Sequence, residues 1–212
     1  TGTGLTYQWQ EDSGSGFGNI TNGGVYSGAT TATLALTGIT AGMTGNEYRV
    51  VITGTCAPTT SAAGILTVNT LPLVTVNPVD VTVCEGLGTS FSVTATGTGI
   101  TYQWQEDTGG GFVNLANGGV YSKVTTSTMS ISNVLGKGGY RYRAVVSGTC
   151  SPASTSTSAT LTEQKNPVVT LPPSNATVCE GNNTTFSVTA TGTGLSSQWQ
   201  EDSGSGFGNI TN

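Results

Sequence analysis

The chain repeats itself with a period of 95 residues. Trp9, Trp104 and Trp199 stand at equal spacing inside one string, Gln-Trp-Gln-Glu-Asp, and Phe17, Phe112 and Phe207 keep the same step. So do Phe91 and Phe186, and Cys84 and Cys179. Residues 1–22 and 191–212 differ only at Thr6/Ser196 and Tyr7/Ser197. A fixed period of this length marks an array of small modules rather than one large globule. The expected division is a partial repeat over residues 1–70, a complete repeat over 71–165 and a second partial repeat over 166–212. An array that repeats its surface as faithfully as its core suits a spacer or filament better than a catalyst, which needs one unique site.

Composition narrows the classes further. Charged residues make up only 8% of the chain and His is absent, with Gly, Thr and Ser in their place. Disorder would also require few aromatic and β-branched residues. Here Val, Ile, Thr, Tyr and Phe are arranged in alternating runs, which reads as a Thr-rich β surface. The net charge is -5, so no basic stripe exists to neutralise phosphates and nucleic acid is not an expected partner. Arg141, Arg143, Lys123 and Lys137 fall in the complete repeat, but only Arg143 has a clear counterpart, Arg49. No apolar run approaches the roughly 18 residues that span a membrane, so no membrane insertion is expected in this segment.

Alternation and turn residues place the strands. Val79–Val83 is expected as a first strand, entered through Pro72 and Pro78, and Phe91–Ala95 alternates apolar and polar. Tyr102–Gln105, Phe112–Leu115, Thr128–Ile131, Tyr142–Val146 and Ala159–Thr162 follow, separated by turns such as Asn117-Gly118-Gly119. No stretch has helical periodicity. Seven or eight short strands in about 95 residues indicate an all-β chain of tandem sandwich repeats.

The order Glu85-Gly86, alternating strand, Trp104, Met129-Ser-Ile131 and Tyr142-Arg-Ala144 resembles an immunoglobulin-like domain of the I-set kind. The resemblance implies that Trp104 is the buried Trp of strand C, with Trp9 and Trp199 as its copies. It implies that Tyr142, with Tyr48, is the tyrosine corner that opens strand F. The first piece then holds strands C to G and the last holds strands A to C′. The wording Val-Cys-Glu-Gly, Tyr-Gln-Trp-Gln and Ser-Gly-Thr-Cys is similar to tandem repeats of very large surface proteins of Bacteroidota-type bacteria. Those resemble gliding and adhesion proteins exported by the type IX route. One departure matters: Val93 and Ala144 occupy the places of the family's two core cysteines, so the central disulfide is replaced by aliphatic packing.

The four cysteines fall into two types, Cys84 and Cys179 after the first strand, and Cys56 and Cys150 after strand F. Without His or a Cys-x-x-Cys spacing, a zinc site is not expected. Repeated half-cystines on a β array favour disulfides and an oxidising compartment. Cys84 and Cys150 are the natural pair within one repeat, yet straight strands put them at opposite ends of the sandwich. A bent strand F would permit the bond inside a repeat, and straight geometry would favour a staple between repeats.

The pairs Glu11-Asp12, Glu106-Asp107 and Glu201-Asp202 recur, and calcium is the metal they would suit. Neighbours on a strand point to opposite faces, however, so each pair alone makes a poor cage and no cofactor is expected. Tyr26 and Tyr121 are candidate sugar platforms, or else pack on their own sandwich. Without His no nucleophile–base triad can be assembled, and nothing marks a catalytic groove. The expected function is a non-enzymatic, extracellular or cell-surface structural repeat, the shaft of a filament or adhesin. Its partners would be neighbouring repeats or other copies in a filament. The alternatives are a module binding glycan or protein, or an accessory domain of a secreted enzyme. Because neither end piece can close a sandwich, the chain is expected to be an excerpt of a longer polypeptide. The alternative is that one chain's tail completes another chain's head.

Overall fold

A computed structural model describes residues 4–211, which divide into two compact units. The first runs to Pro72 and takes in Gly97–Gly99 and Gly148–Pro152. Its strands are β1 (Thr6–Asp12), β2 (Gly18–Asn19), β3 (Tyr26–Ser27), β4 (Ala35–Leu36), β5 (Glu47–Thr53), β6 (Thr59–Thr60) and β7 (Gly64–Ile65). One sheet runs β2-β1-β5-β6, with β7 also on β5, while β3 and β4 form a separate hairpin. Trp9 faces Val50 across the β1–β5 ladder.

The second unit holds the complete repeat. Its strands are β8 (Leu73–Val76), β9 (Val81–Cys84), β10 (Thr89–Ser92), β11 (Thr94–Thr96), β12 (Thr101–Asp107) and β13 (Phe112–Asn114). They continue with β14 (Tyr121–Ser122), β15 (Thr128–Ile131), β16 (Arg141–Ser147), β17 (Ser154–Thr155) and β18 (Ala159–Gln164). One sheet has the order β13-β12-β16-β18-β9, with β17 on β16, and the other β10-β15-β14, while β8 pairs with β11. The chain is all-β, with an immunoglobulin-like sandwich repeated in tandem. Past it, the same unit contains two two-stranded pairs, β19 (Val168–Leu171) with β20 (Thr189–Thr191) and β21 (Gln200–Asp202) with β22 (Phe207–Asn209). No helix of the described residues is long and apolar enough to cross a membrane.

The strand expected over Val79–Val83 is found as β9, parallel to β18, and a separate strand, β8, precedes it, antiparallel to β11. Pro78 lies in the gap and has no N–H to offer a ladder, so it ends the first segment. The side chains beside it then fasten the chain to the opposite sheet. Asn77 Oδ1 accepts from Thr157 N at 2.9 Å and Asp80 Oδ1 from Thr160 N at 2.7 Å.

Both sheets of the complete repeat close on Trp104. The indole is fully buried with Phe91, Val93, Met129, Ile131, Tyr142, Ala144 and Leu161. Its Nε1 donates to Thr126 O at 2.9 Å, which satisfies the one polar atom that burial would strand. Phe91 stacks on Tyr142 with ring centroids 4.9 Å apart, tying the two sheets together. Ala144 lies opposite Trp104 in the β12–β16 ladder, and its small side chain leaves room for the indole. Replacing Trp104 with Ala is expected to destabilise the complete repeat by about 3–5 kcal/mol. The same change at Trp199, whose side chain is 40% exposed, should cost far less. Urea denaturation of the two variants checks the contrast.

Candidate functional site: carboxylate frames and the repeat junction

Of the residues that the sequence singles out, Trp104, Val93, Tyr142 and Ala144 meet in one cluster. Their relatives Trp9 and Tyr48 are half-buried and Trp199 is exposed. The structure holds no bond between the cysteines named as disulfide candidates. Cys56, Cys84, Cys150 and Cys179 are all unpaired, three of them exposed and Cys150 half-buried. The register explains why Cys84 and Cys150 do not bond within the repeat. Cys84 sits beside Gln164, at the end of the sheet where β16 begins, and Cys150 follows the end where β16 stops. A strand of seven residues spans roughly 23 Å, against the 7 Å or less between Cα atoms that a disulfide requires.

The recurring Glu-Asp pairs are engaged by protein donors. Asp107 is buried, and its Oδ1 accepts from Gly109 N at 2.7 Å and Gly111 N at 2.9 Å. Its Oδ2 takes the Arg141 guanidinium. The same pair of amide bonds recurs at Asp12 and at Asp202. These backbone amides, foremost that of Gly109, and then Arg141 hold the Asp107 carboxyl below its ordinary range. The glutamate turns to the other face, as alternation demands. Glu106 accepts from the hydroxyls of Tyr121 and Tyr142, which lie 3.2 Å apart. Glu11 accepts from Tyr26, Tyr48 and Asn46 at 2.6–2.7 Å. Burial pushes Glu11 up, but these three donors outweigh it and leave the carboxyl below its usual value. Burial, then Tyr121, pushes the Tyr142 hydroxyl well up. Both candidate sugar platforms, Tyr26 and Tyr121, therefore have their hydroxyls committed to these frames.

The second recurring arrangement lies where one repeat passes to the next. Lys165 N donates to Thr193 Oγ1 at 2.9 Å, and Thr193 N donates back to Lys165 O at 3.0 Å. In the first unit Thr70 and Thr98 make the same reciprocal pair, at 2.9 and 3.2 Å. Both partners step by 95 residues, so the clasp belongs to the period. Gly192 sits inside it at φ +147°, where a Cβ would lie 2.9 Å from Pro167 Cα. Only glycine fits that turn. Around the second clasp, Glu85 Oε1 accepts from Asn166 N at 3.0 Å, and Lys165 bridges Glu85 and Glu163. The charges are not periodic, because Thr70 stands where Lys165 does. Glu163 and then Glu85 hold the exposed Lys165 ammonium above its ordinary value.

Sequence reading missed both arrangements as units. The clue was available in Glu85 and Thr98, which recur as Glu180 and Thr193, but only the fold brings position 98 against position 70. No protein-family model and no curated protein sequence matches the chain. Solved structures do match. A three-immunoglobulin-domain fragment of the titin I-band is similar at 15% identity, covering 99% of this chain and 72% of that one, with a TM-score of 0.68. A variant of that fragment with glutamate changed to alanine matches with the same values. Drosophila OTK extracellular domains 3–5 match at 15% identity over 98% of this chain and 68% of that one, with a TM-score of 0.45. At 15% identity the likeness to the titin fragment shows the fold: tandem immunoglobulin-like domains.

The frames have a consequence in acid. A carboxyl held below its unfolded value contributes stability above that value, about 3.9 for Asp, and loses it as pH falls through the lower folded value. Stability of the complete repeat should therefore decline below about pH 4. Asp107→Asn should be less stable at neutral pH and show a shallower acid decline. Denaturation midpoints measured from about pH 7 to pH 2 compare the two slopes.

Proposed function

We propose that the chain is a non-enzymatic structural segment, part of the shaft of an extracellular filament or adhesin. The observation that carries this is the clasp recurring with the 95-residue step at Thr70–Thr98 and Lys165–Thr193. What the array keeps constant is its frame and its connections. The non-repeating residues, Lys123, Lys137 and Lys165, supply no common reactive group. The setting in a bacterial surface protein rests on the sequence wording around Val-Cys-Glu-Gly and Ser-Gly-Thr-Cys. In this reading the free thiols serve as staples between neighbouring repeats, since the span within a repeat is too long.

Two parallel strands of the complete repeat, one early and one at its end, are suited to bear load. β9 and β18 pair in parallel from Val81↔Leu161 to Cys84↔Gln164. Tension on the two ends of the repeat would pull these strands in opposite directions and load their hydrogen bonds together, in shear. A rival reading, a glycan- or protein-binding module, is favoured by one observation. Lys137 Nζ lies 4.8 Å above the Tyr121 ring and 5.2 Å above that of Tyr140, a cluster without a counterpart in the first copy. The Tyr121 hydroxyl, however, is bonded to Glu106.

Single-molecule pulling of the 212-residue chain tests the shaft reading. The complete repeat should yield in one discrete step that releases roughly 30 nm of chain at about 3.5 Å per residue. Glu85 N donates to Gln164 O, and strand alternation turns Val83 N–H toward the same edge. Val83→Pro should therefore lower the unfolding force markedly. Gradual extension without a discrete step would refute the mechanical role.

A further inference from the structure

Two arginines that the proposed role leaves unused share one face of the complete repeat. On β16 the side chains of Tyr142, Ala144 and Val146 turn inward, so Arg141 and Arg143 turn outward. The ladders to β12 and β13 set two short rows across that outer face. Phe112, Asp107 and Arg141 form one, and Asn114, Gln105 and Arg143 form the other.

The second row holds a guanidinium in one pose. Arg143 Nε donates to Gln105 Oε1 at 2.8 Å, and Gln105 Nε2 donates to Asn114 Oδ1 at 2.8 Å. The guanidinium carbon lies 3.9 Å from the centroid of the Phe112 ring. With Nε engaged and one face covered, the open part is the edge that carries Nη1 and Nη2. The two N–H groups of that edge match the two oxygens of a carboxylate. Asn114 meets the same Gln105 amide and adds a second free donor, Nδ2, because its Oδ1 is already taken. Groups fixed in advance lose little freedom when a ligand binds.

The first copy builds the same row but surrounds it with different charges. Arg49 Nε donates to Gln10 Oε1 at 2.9 Å, Gln10 Nε2 donates to Asn19 Oδ1 at 2.9 Å, and the Arg49 guanidinium lies 3.7 Å from the Phe17 ring centroid. In its other row Asp12 stands opposite Glu47, so this face holds one arginine and two carboxylates. In the complete repeat Arg141 takes the place of Glu47 and pairs with Asp107. Among the described residues that leaves Arg143 without an ion-pair partner. The frame is periodic, but only in the complete repeat does this face hold a positive charge in excess.

We propose that this face of the complete repeat binds a carboxylated sugar, the uronate of an acidic polysaccharide. The Arg143 fork takes the carboxylate, and Asn114 Nδ2 donates to a neighbouring hydroxyl or ring oxygen. Such an oxygen flanks the carboxylate of a uronate and has no counterpart beside the carboxylate of an Asp or Glu side chain. The site uses neither Tyr121 nor Lys137, and it stands whether or not the segment bears load.

Nuclear magnetic resonance of the isotope-labelled 212-residue chain, titrated with galacturonate and with polygalacturonate, tests the proposal. Salt is held near about 0.15 M, where long-range attraction between exposed charges is screened. The expected result is a saturable shift of the Arg143 Nε–H resonance with both ligands, while that of Arg49 stays in place. Arg143→Lys keeps the charge and loses the fork, so it should weaken binding roughly tenfold or more while the unfolding midpoint holds. Arg49→Lys should leave binding unchanged. No shift at Arg143 with galacturonate up to tens of millimolar overturns the proposal. So does an equal loss of binding from Arg49→Lys, or an equal response to neutral galactose. Polyglutamate bound as tightly as polygalacturonate also overturns it, and would assign the face to an acidic peptide.

Discussion

Burial of one indole between two sheets is the condition on which the rest of this structure depends. Trp104 has no disulfide beside it. Val93 and Ala144 stand where the immunoglobulin pattern places cysteines, so closure of the sandwich relies on apolar packing alone. An aromatic side chain of this size removes about 150–250 Å² from water. That gain exists only when strands from both sheets arrive together. Three copies of the same motif within one chain make the dependence visible. Trp104 is covered, Trp9 is half-covered and Trp199 is open, although all three sit in the same Gln-Trp-Gln-Glu-Asp string. The tail residues that correspond to β10 are not in a strand.

Around this core the polar groups are organised by backbone geometry. Each Glu-Asp pair sends its two carboxylates to opposite sides of a strand. The aspartate gathers two turn amides in each copy, and Glu11 and Glu106 gather tyrosine hydroxyls. Both uses satisfy a charged group with fixed donors, which is what permits its removal from bulk water. The Lys165–Glu85–Glu163 group adds charge to one junction. The reciprocal backbone clasp, by contrast, returns with the period and is independent of charge.

The β class and the positions of most strands were legible from alternation and turn residues, and the core set of Trp104, Val93, Ala144 and Tyr142 was what the resemblance to immunoglobulin-like domains implied. Alternation located β9 within the run Val79–Val83, but the transfer between sheets at Pro78, from β8 to β9, depends on Asn77 and Asp80 reaching residues about 80 positions away. The cysteines show the same limit. Their spacing announced two types, and straight-strand geometry raised doubt about a bond within the repeat. The register of β9 on β18 removed that bond. The carboxylate frames were hidden because tyrosines 15 and 36 residues from Glu106 meet it only after the sheets close.

The sequence by itself determined the period, the strand-forming segments and the residues that face inward, because alternation and turn chemistry are local properties of the chain. Tertiary structure alone decided which of three near-identical segments became a core. It also decided which carboxylate met which hydroxyl, and which cysteines stayed apart. Those outcomes depend on contacts between residues far apart in the chain, and a burial pattern written into a strand is realised only where the opposing sheet is present to cover it.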